Sequence, residues 1–398
     1  MSGSLRRKRG FTLLEVMISS AIGVIVLGVG LVVGMQMQRR ALFEEQTMVA
    51  QVTGRAVKDL LTLDVQRAGI GMSNSRIQFA DGDQRFAIQS WTGLDMRVAT
   101  GPFASDLGFS LPTNAPYTDM ASDVLQLFWG DPRSMISLTG CDGGIGSNVR
   151  AGAELCTTPN PPTVLKPAAG PPTPILVANP TQGALACHFR LTDVRAGDAR
   201  VVASPGLGIA NTNNGPCSDP LDPLWQRAGW VAMRTVSAAY RVNWAGGSPA
   251  LEYMAPGANT WAVVSRDVEQ MTVRYGVINL NLPNNAYRWF PAVPGGTSID
   301  QCTMNGTTAC TVDVLVSDET PVTTNEELRA RLRQRVREVE ITLVIRTPRS
   351  DRSVVDPAKI NVPDDDGFPQ DGFKRRTYTL RVTPRNFVSA GLQPAAGI

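Results

Sequence analysis

Few residues in this chain are equipped for chemistry. His188 is the single histidine in 398 residues, and so the single imidazole base. It stands between Cys187 and Phe189 in an apparent strand. A structural role is expected, because a Ser/His/Asp triad also needs a positioned nucleophile and an orienting carboxylate. No GxSxG, P-loop or HExxH occurs, and GGIGSN at 143–148 follows no clear strand into a helix, so it is no dinucleotide fingerprint. Asp364, Asp365 and Asp366, with Asp371 beyond, gather carboxylates of the kind calcium favours. Asp364 and Asp366 are the ligand candidates there. Their spacing is not that of an EF-hand, so a solvated acidic turn is the preferred reading and no cofactor is expected.

The six cysteines are Cys141, Cys156, Cys187, Cys217, Cys302 and Cys310. None forms a CxxC pair, and one histidine cannot complete a Cys/His zinc set. An even count outside zinc spacings fits disulfides in an oxidising compartment, with buried free thiols as the alternative. Six cysteines allow fifteen full pairings, which sequence does not decide. Pairing between sequence neighbours is the working expectation: Cys141–Cys156, Cys187–Cys217 and Cys302–Cys310. The last would close a short hairpin-like loop.

One carboxylate stands out by its position. Glu15 is the sole charged residue between Phe11 and Gln38. An isolated carboxylate in such a run is costly in lipid and marks function by default, unless it snorkels to the headgroups.

The element that positions Glu15 is an apolar helix. Val16 to Met35 carries no charge. At 1.5 Å per residue it spans about 30 Å, enough for a bilayer core. Arg6, Arg7, Lys8 and Arg9 precede it, so the positive-inside rule keeps the N-terminus cytoplasmic and sends the bulk outward. The run is too long for an ordinary signal peptide, and no A-x-A-like site follows. Small residues along it suit close packing, and Gly30 with Gly34 has GxxxG spacing. Beyond it, residues 38–68 keep a helical apolar period through Leu42, Val49, Val52, Ala56, Leu60, Leu63 and Ala68, with stops at Gly69 and Gly71. One helix over about 12–68 is expected; the alternative is two helices with a break near Gly54.

RKRG-FTLLEVMIS resembles the class III signal of type IV prepilins and type II secretion pseudopilins. The resemblance implies that a prepilin peptidase cuts between Gly10 and Phe11 and methylates the new Phe11 amine. It places the family's glutamate at Glu15, whose carboxylate would pair with the Phe11 amine of a neighbouring subunit and set axial register. Many major pilins carry a proline midway along this helix, and this chain has none there.

After residue 70 the pattern changes to strands. Segments at 123–129, 186–194, 238–244, 268–277, 311–318, 339–346 and 378–383 alternate or run apolar at strand length. A short helix at 325–335 starts at Thr324 or Asn325. The order predicts an α+β, pilin-like fold: a long N-terminal helix, transmembrane and then an amphipathic spine, with a large antiparallel β-rich head. The expected division is a leader at 1–10, a transmembrane helix at 11–37, a spine at 38–70 and a head at 71–398. Stretches 131–185 and 203–225, rich in Gly, Pro, Asn and Ser, read as long loop insertions. Within them, 157–175 is proline-rich and reads as a solvated linker.

DVQRAGIGM, SRDVEQMTVRYGV at 265–277 and the pair VREVEITLVIRTPRS and RRTYTLRVTPRNF, with Arg385 and Asn386, resemble PilW-type minor pilins. The resemblance covers both ends of the chain, not its middle. It implies a non-enzymatic minor pilin in pilus assembly or initiation. Other minor pilins, a major pilin, prepilin peptidase, the inner membrane and a tip adhesin would be its partners. The protein would sit in the inner membrane with a periplasmic head, then in the extracellular pilus. A minor pseudopilin of a type II secretion system, or a tip adhesin or DNA-uptake module, is the alternative. The net charge is +3, and without the four basic leader residues 34 basic face 35 acidic ones. That balance gives no electrostatic case for nucleic acid.

Overall fold

The computed structural model describes residues 12–387, apart from 80–82, 99–102, 104, 113–121, 151–153, 159–164, 166–171, 180–184, 205–216, 218, 220, 257, 259, 280–286, 294, 311–320, 352–354, 356, 361 and 364–366. The expected strand at 311–318 therefore lies outside the described residues.

Helix α1 runs unbroken from Leu13 to Arg67. No break occurs at Gly54. A Cβ there would come within 2.8 Å of Cζ of Tyr378, so the glycine admits an aromatic ring against the helix. The chain divides into two compact units, Met1–Val52 and Thr53–Ile398. In the first, α1 presents large apolar side chains such as Leu14, Val24, Ile25, Leu27 and Leu31 to the outside. In the second, Val57, Leu61, Val65 and Ala68 are buried in a stripe at helical spacing. Of the expected Ala56, Leu60, Leu63 and Ala68, only Ala68 belongs to this stripe; the others lie one or two residues before its members, and Leu63 is exposed. Both lines are apolar in sequence, so the side facing the head is chosen by what packs there.

The rest of the second unit is built on two sheets. Chain order gives β1 (Arg76–Gln78), β2 (Gln84–Arg85), β3 (Ile88–Trp91), β4 (Val124–Gly130), β5 (Ile136–Ser137), β6 (Val149–Arg150) and β7 (Glu154–Cys156). Then follow β8 (Thr173–Ala178), β9 (Leu185–Arg195), β10 (Arg200–Ser204), β11 (Val231–Asn243), β12 (Ala250–Met254) and β13 (Ala262–Arg266). These thirteen form one sheet whose main path is β13-β12-β11-β8-β9-β10-β7-β6. Its pairs are antiparallel except β1 with β9. The second sheet has order β15-β14-β16-β17 and is antiparallel throughout, from β14 (Val268–Ile278), β15 (Tyr287–Phe290), β16 (Val336–Arg346) and β17 (Arg375–Val382). Helix α2 (Asn325–Gln334) leads into β16. Thr324 starts α2 through a capping box with Glu327, which satisfies donors the first turn would leave open. The fold is thus α+β: a long N-terminal apolar helix followed by a large antiparallel β-rich head.

The two stretches expected as loop insertions are not all loop. Residues 131–185 supply β5 to β8, and the end of the proline-rich segment is β8. Ile136, Leu155, Leu165, Cys217 and Trp225 are buried in one cluster with Ile175 and Ala232. Their Gly and Pro punctuate short strands, whose few apolar residues are too sparse to show a period. The proline-rich segment also contributes Leu165, which is 1% exposed, so it is not a wholly solvated linker.

Candidate functional site

The candidate site begins at the first turn of α1. Thr12 precedes the helix, and Glu15 is its third residue. The Thr12 amide donates to Glu15 Oε2 at 3.0 Å, and the Thr12 hydroxyl donates to the same oxygen at 3.1 Å. In return the Glu15 amide donates to Thr12 Oγ1 at 3.3 Å. This is a reciprocal capping box, which meets two otherwise open donors and places a carboxylate at the positive end of the helix. The signal was present in sequence as Thr-x-x-Glu before an apolar run and went unread there. Glu15 Oε1 has no partner among the described residues, so the carboxylate can accept from a further donor.

The helix behind it is long and apolar enough to cross a membrane. Added Cβ atoms at Gly30 and Gly34 would meet nothing within 4 Å, as at Gly23 and Gly28. These glycines thus leave the helix surface open to close approach. Gly10 and Phe11, the expected processing residues, lie outside the described residues, as do Asp364 and Asp366.

The six cysteines form three bonds, Cys141–Cys156, Cys187–Cys217 and Cys302–Cys310, which is the pairing of sequence neighbours. The first ties the 140s turn to β7, and the second ties β9 to Cys217 in the second expected insertion. His188, on β9, stacks on Phe79 with ring centroids 4.5 Å apart, a packing arrangement. No group of three potential metal ligands occurs among the described residues.

Three polar attachments in the head were not foreseen. Tyr240 of β11 donates to Asp64 of the spine at 2.7 Å, and burial raises the Asp64 pKa against that bond and the nearby Arg67. The Asn386 amide donates to the Gln66, Arg67 and Ala68 carbonyls at 3.3, 3.4 and 2.9 Å, closing the C-terminal end of α1. Asp123, just before β4, accepts from the Val273 amide of β14 at 2.7 Å and so joins the two sheets. Asp64 and Tyr240 are single polar residues inside a helix and a strand, Asp123 lies just before β4 and Asn386 lies beyond β17, so none of these bonds leaves a period to read.

Residues 5–31 match a family described as the prokaryotic N-terminal methylation motif. No curated protein and no solved structure matches the chain. The motif together with the apolar helix supports a membrane-anchored protein of the type IV pilin or pseudopilin kind. It implies processing by prepilin peptidase and assembly with other pilins.

Proposed function

We propose that this chain is a PilW-type minor pilin that takes part in type IV pilus assembly or initiation. The single observation that carries this reading is the N-terminal methylation motif running into an exposed apolar stretch of α1, residues 13–38, whose one charge is Glu15. In this reading prepilin peptidase cuts between Gly10 and Phe11 and methylates the Phe11 amine. The amine is then held at the membrane surface in the same layer as the Glu15 carboxylate. Both charges are poorly solvated there, and an unpaired one is unfavourable, so a subunit entering a filament is driven to pair Glu15 with a neighbour's Phe11. The large head supports a minor role, because its bulk is hard to repeat along a thin filament. The leader stays cytoplasmic and the head periplasmic until the subunit enters the extracellular pilus.

Intact-mass and N-terminal analysis of the protein extracted from native membranes tests the processing step. The expected chain starts at a methylated Phe11 and carries no free thiol. A chain that keeps residues 1–10 refutes the reading. Complementation of a deletion strain then separates the two systems that share such N-termini. Restored piliation is the expected outcome. Loss of protein secretion with pili intact assigns the chain to a type II secretion system instead.

A further inference from the structure

The outward face of the four-stranded sheet carries a feature that neither processing nor helix packing uses. Residues directly opposite on paired strands share a face. Trp289 of β15 stands opposite Gly276 of β14, which stands opposite Glu338 of β16. In the adjoining rank Arg274, Glu340 and Arg381 lie side by side across β14, β16 and β17. The rank beyond holds Thr272, Thr342 and Thr379, with the last two hydroxyl oxygens 3.3 Å apart. The alternate residues Val273, Tyr275, Ile341, Leu343 and Leu380 are buried on the inner face. Burial of that set holds the polar set outward.

Gly276 sets the pose of the indole. A Cβ there would lie 3.3 Å from the tip of the Trp289 ring, so the missing side chain lets the ring lie across the strand. The guanidinium carbons of Arg274 and Arg381 are 5.4 and 5.2 Å from the ring centroid. Glu340 accepts from Arg274 Nη1 at 2.9 Å and from Arg381 Nε at 2.8 Å. Arg274 is further fixed by the carbonyls of Pro291 and Ala292. The group is therefore pre-arranged by its own contacts. Arg381 differs in being 58% exposed, and its outer N–H groups have no partner among the described residues. Tyr287, on the same face, is 44% exposed, with its ring 6.3 Å from that of Trp289.

These properties select a ligand class. Two arginines are balanced by Glu338 and Glu340, so the face lacks the cationic groove that single-stranded nucleic acid requires. A fixed aromatic surface beside outward donors and hydroxyls fits a ring with an apolar C–H face and a rim of hydroxyl groups. We propose that this face of the four-stranded sheet is a binding site for neutral saccharide, with Trp289 stacking on a pyranose ring and Arg381 donating to its hydroxyls.

The test is calorimetric titration of the full chain, in a detergent without sugar headgroups, with cellohexaose, chitohexaose and maltohexaose in turn. Saturable binding to at least one is expected. Trp289→Ala is expected to weaken it about tenfold, equivalent to 1.4 kcal/mol. Trp289→Phe keeps most of the affinity, and Arg381→Ala weakens it severalfold. Gly276→Ala, which pushes against the indole tip, also weakens it and carries the test if Trp289→Ala fails to fold. Absence of saturable binding to all three sugars overturns the proposal. Undiminished binding by both the Trp289→Ala and Gly276→Ala variants does so too. Salt-dependent binding of an oligothymidylate in place of sugar assigns the face to nucleic acid and likewise overturns it.

Discussion

Asp123 ties the two sheets together with a group that can change charge. Only 4% of it is exposed. Its amide donates to the Met271 carbonyl at 2.7 Å, and its carboxylate accepts the Val273 amide and the Gly93 amide. Burial pushes its pKa up to about 7, against the lowering effect of those two donors. The folded chain thus holds this proton more tightly than the unfolded chain, whose carboxyl titrates near 3.8. Between those two values the folded state binds more protons, so stability falls as pH rises through the window and levels off above it. At 1.36 kcal/mol per unit, the whole window is worth on the order of 4 kcal/mol, and roughly 3 kcal/mol of it lies above pH 5.

Asp123→Asn isolates this contribution. The amide is close in shape to the protonated acid, and its Oδ1 can still accept the Val273 amide. Unfolding by denaturant, followed by near-UV circular dichroism of the micelle-bound full chain from pH 5 to pH 8, gives the two stabilities. The variant's stability relative to wild type should rise by about 3 kcal/mol across that range. Other titrating groups are common to both proteins and largely cancel in the difference. A difference that does not vary with pH refutes the claim that burial holds this carboxyl neutral. A difference of opposite slope means that the two amide donors outweigh desolvation.

Gly54→Ala places a methyl group 2.8 Å from the Tyr378 ring. Helix propensity favours Ala by roughly 1 kcal/mol, but displacing the ring costs more, so a net loss of about 1 kcal/mol is expected in thermal unfolding. The same substitution in a Tyr378→Ala background should be neutral or stabilising. Asn386→Ala removes the amide donor that closes α1 and should cost roughly 1–2 kcal/mol, read as faster hydrogen exchange at the end of the helix. Replacing Cys187 and Cys217 together, which are 30 residues apart, should destabilise by about 3.6 kcal/mol on loop entropy. Replacing Cys302 and Cys310, 8 apart, should cost only about 2.5 kcal/mol. Equal losses in denaturant unfolding would remove loop entropy as the main cause.

The longest elements were legible because their periodicity extends over enough residues. Val339, Ile341, Leu343 and Ile345 alternate within β16, and Thr324 announces α2. The helix 13–67 was legible as one element, but its buried side was not. Ala56, Leu60 and Leu63 compete with Val57, Leu61 and Val65, and only the packing decides. The middle of the chain failed for a different reason. Strands such as β5 and β6 have two residues each, which cannot display a period of two. At the candidate site Glu15 was legible from its charge, whereas its bond to Thr12 follows from helix capping. The Trp289–Gly276 pairing depends on strand register, which no single segment encodes.

Glu15 is asked to serve two partners, and they make different chemical demands. Within the chain its Oε2 accepts from Thr12, which needs an acceptor but not a charge. In the proposed filament it meets a cationic amine, which needs the charge. Oε1 remains able to accept, so the two contacts are compatible, and the capping box fixes the side chain before a neighbour arrives. Glu15→Gln separates the demands, because its carbonyl oxygen can still cap Thr12 while it brings no negative charge. Glu15→Ala removes both. If pairing with the neighbour's amine drives assembly, Glu15→Gln should fail to restore piliation as thoroughly as Glu15→Ala, although its helix starts at the same residue by hydrogen exchange. If capping alone matters, Glu15→Gln should assemble as wild type does. That result would leave the carboxylate without an intersubunit role.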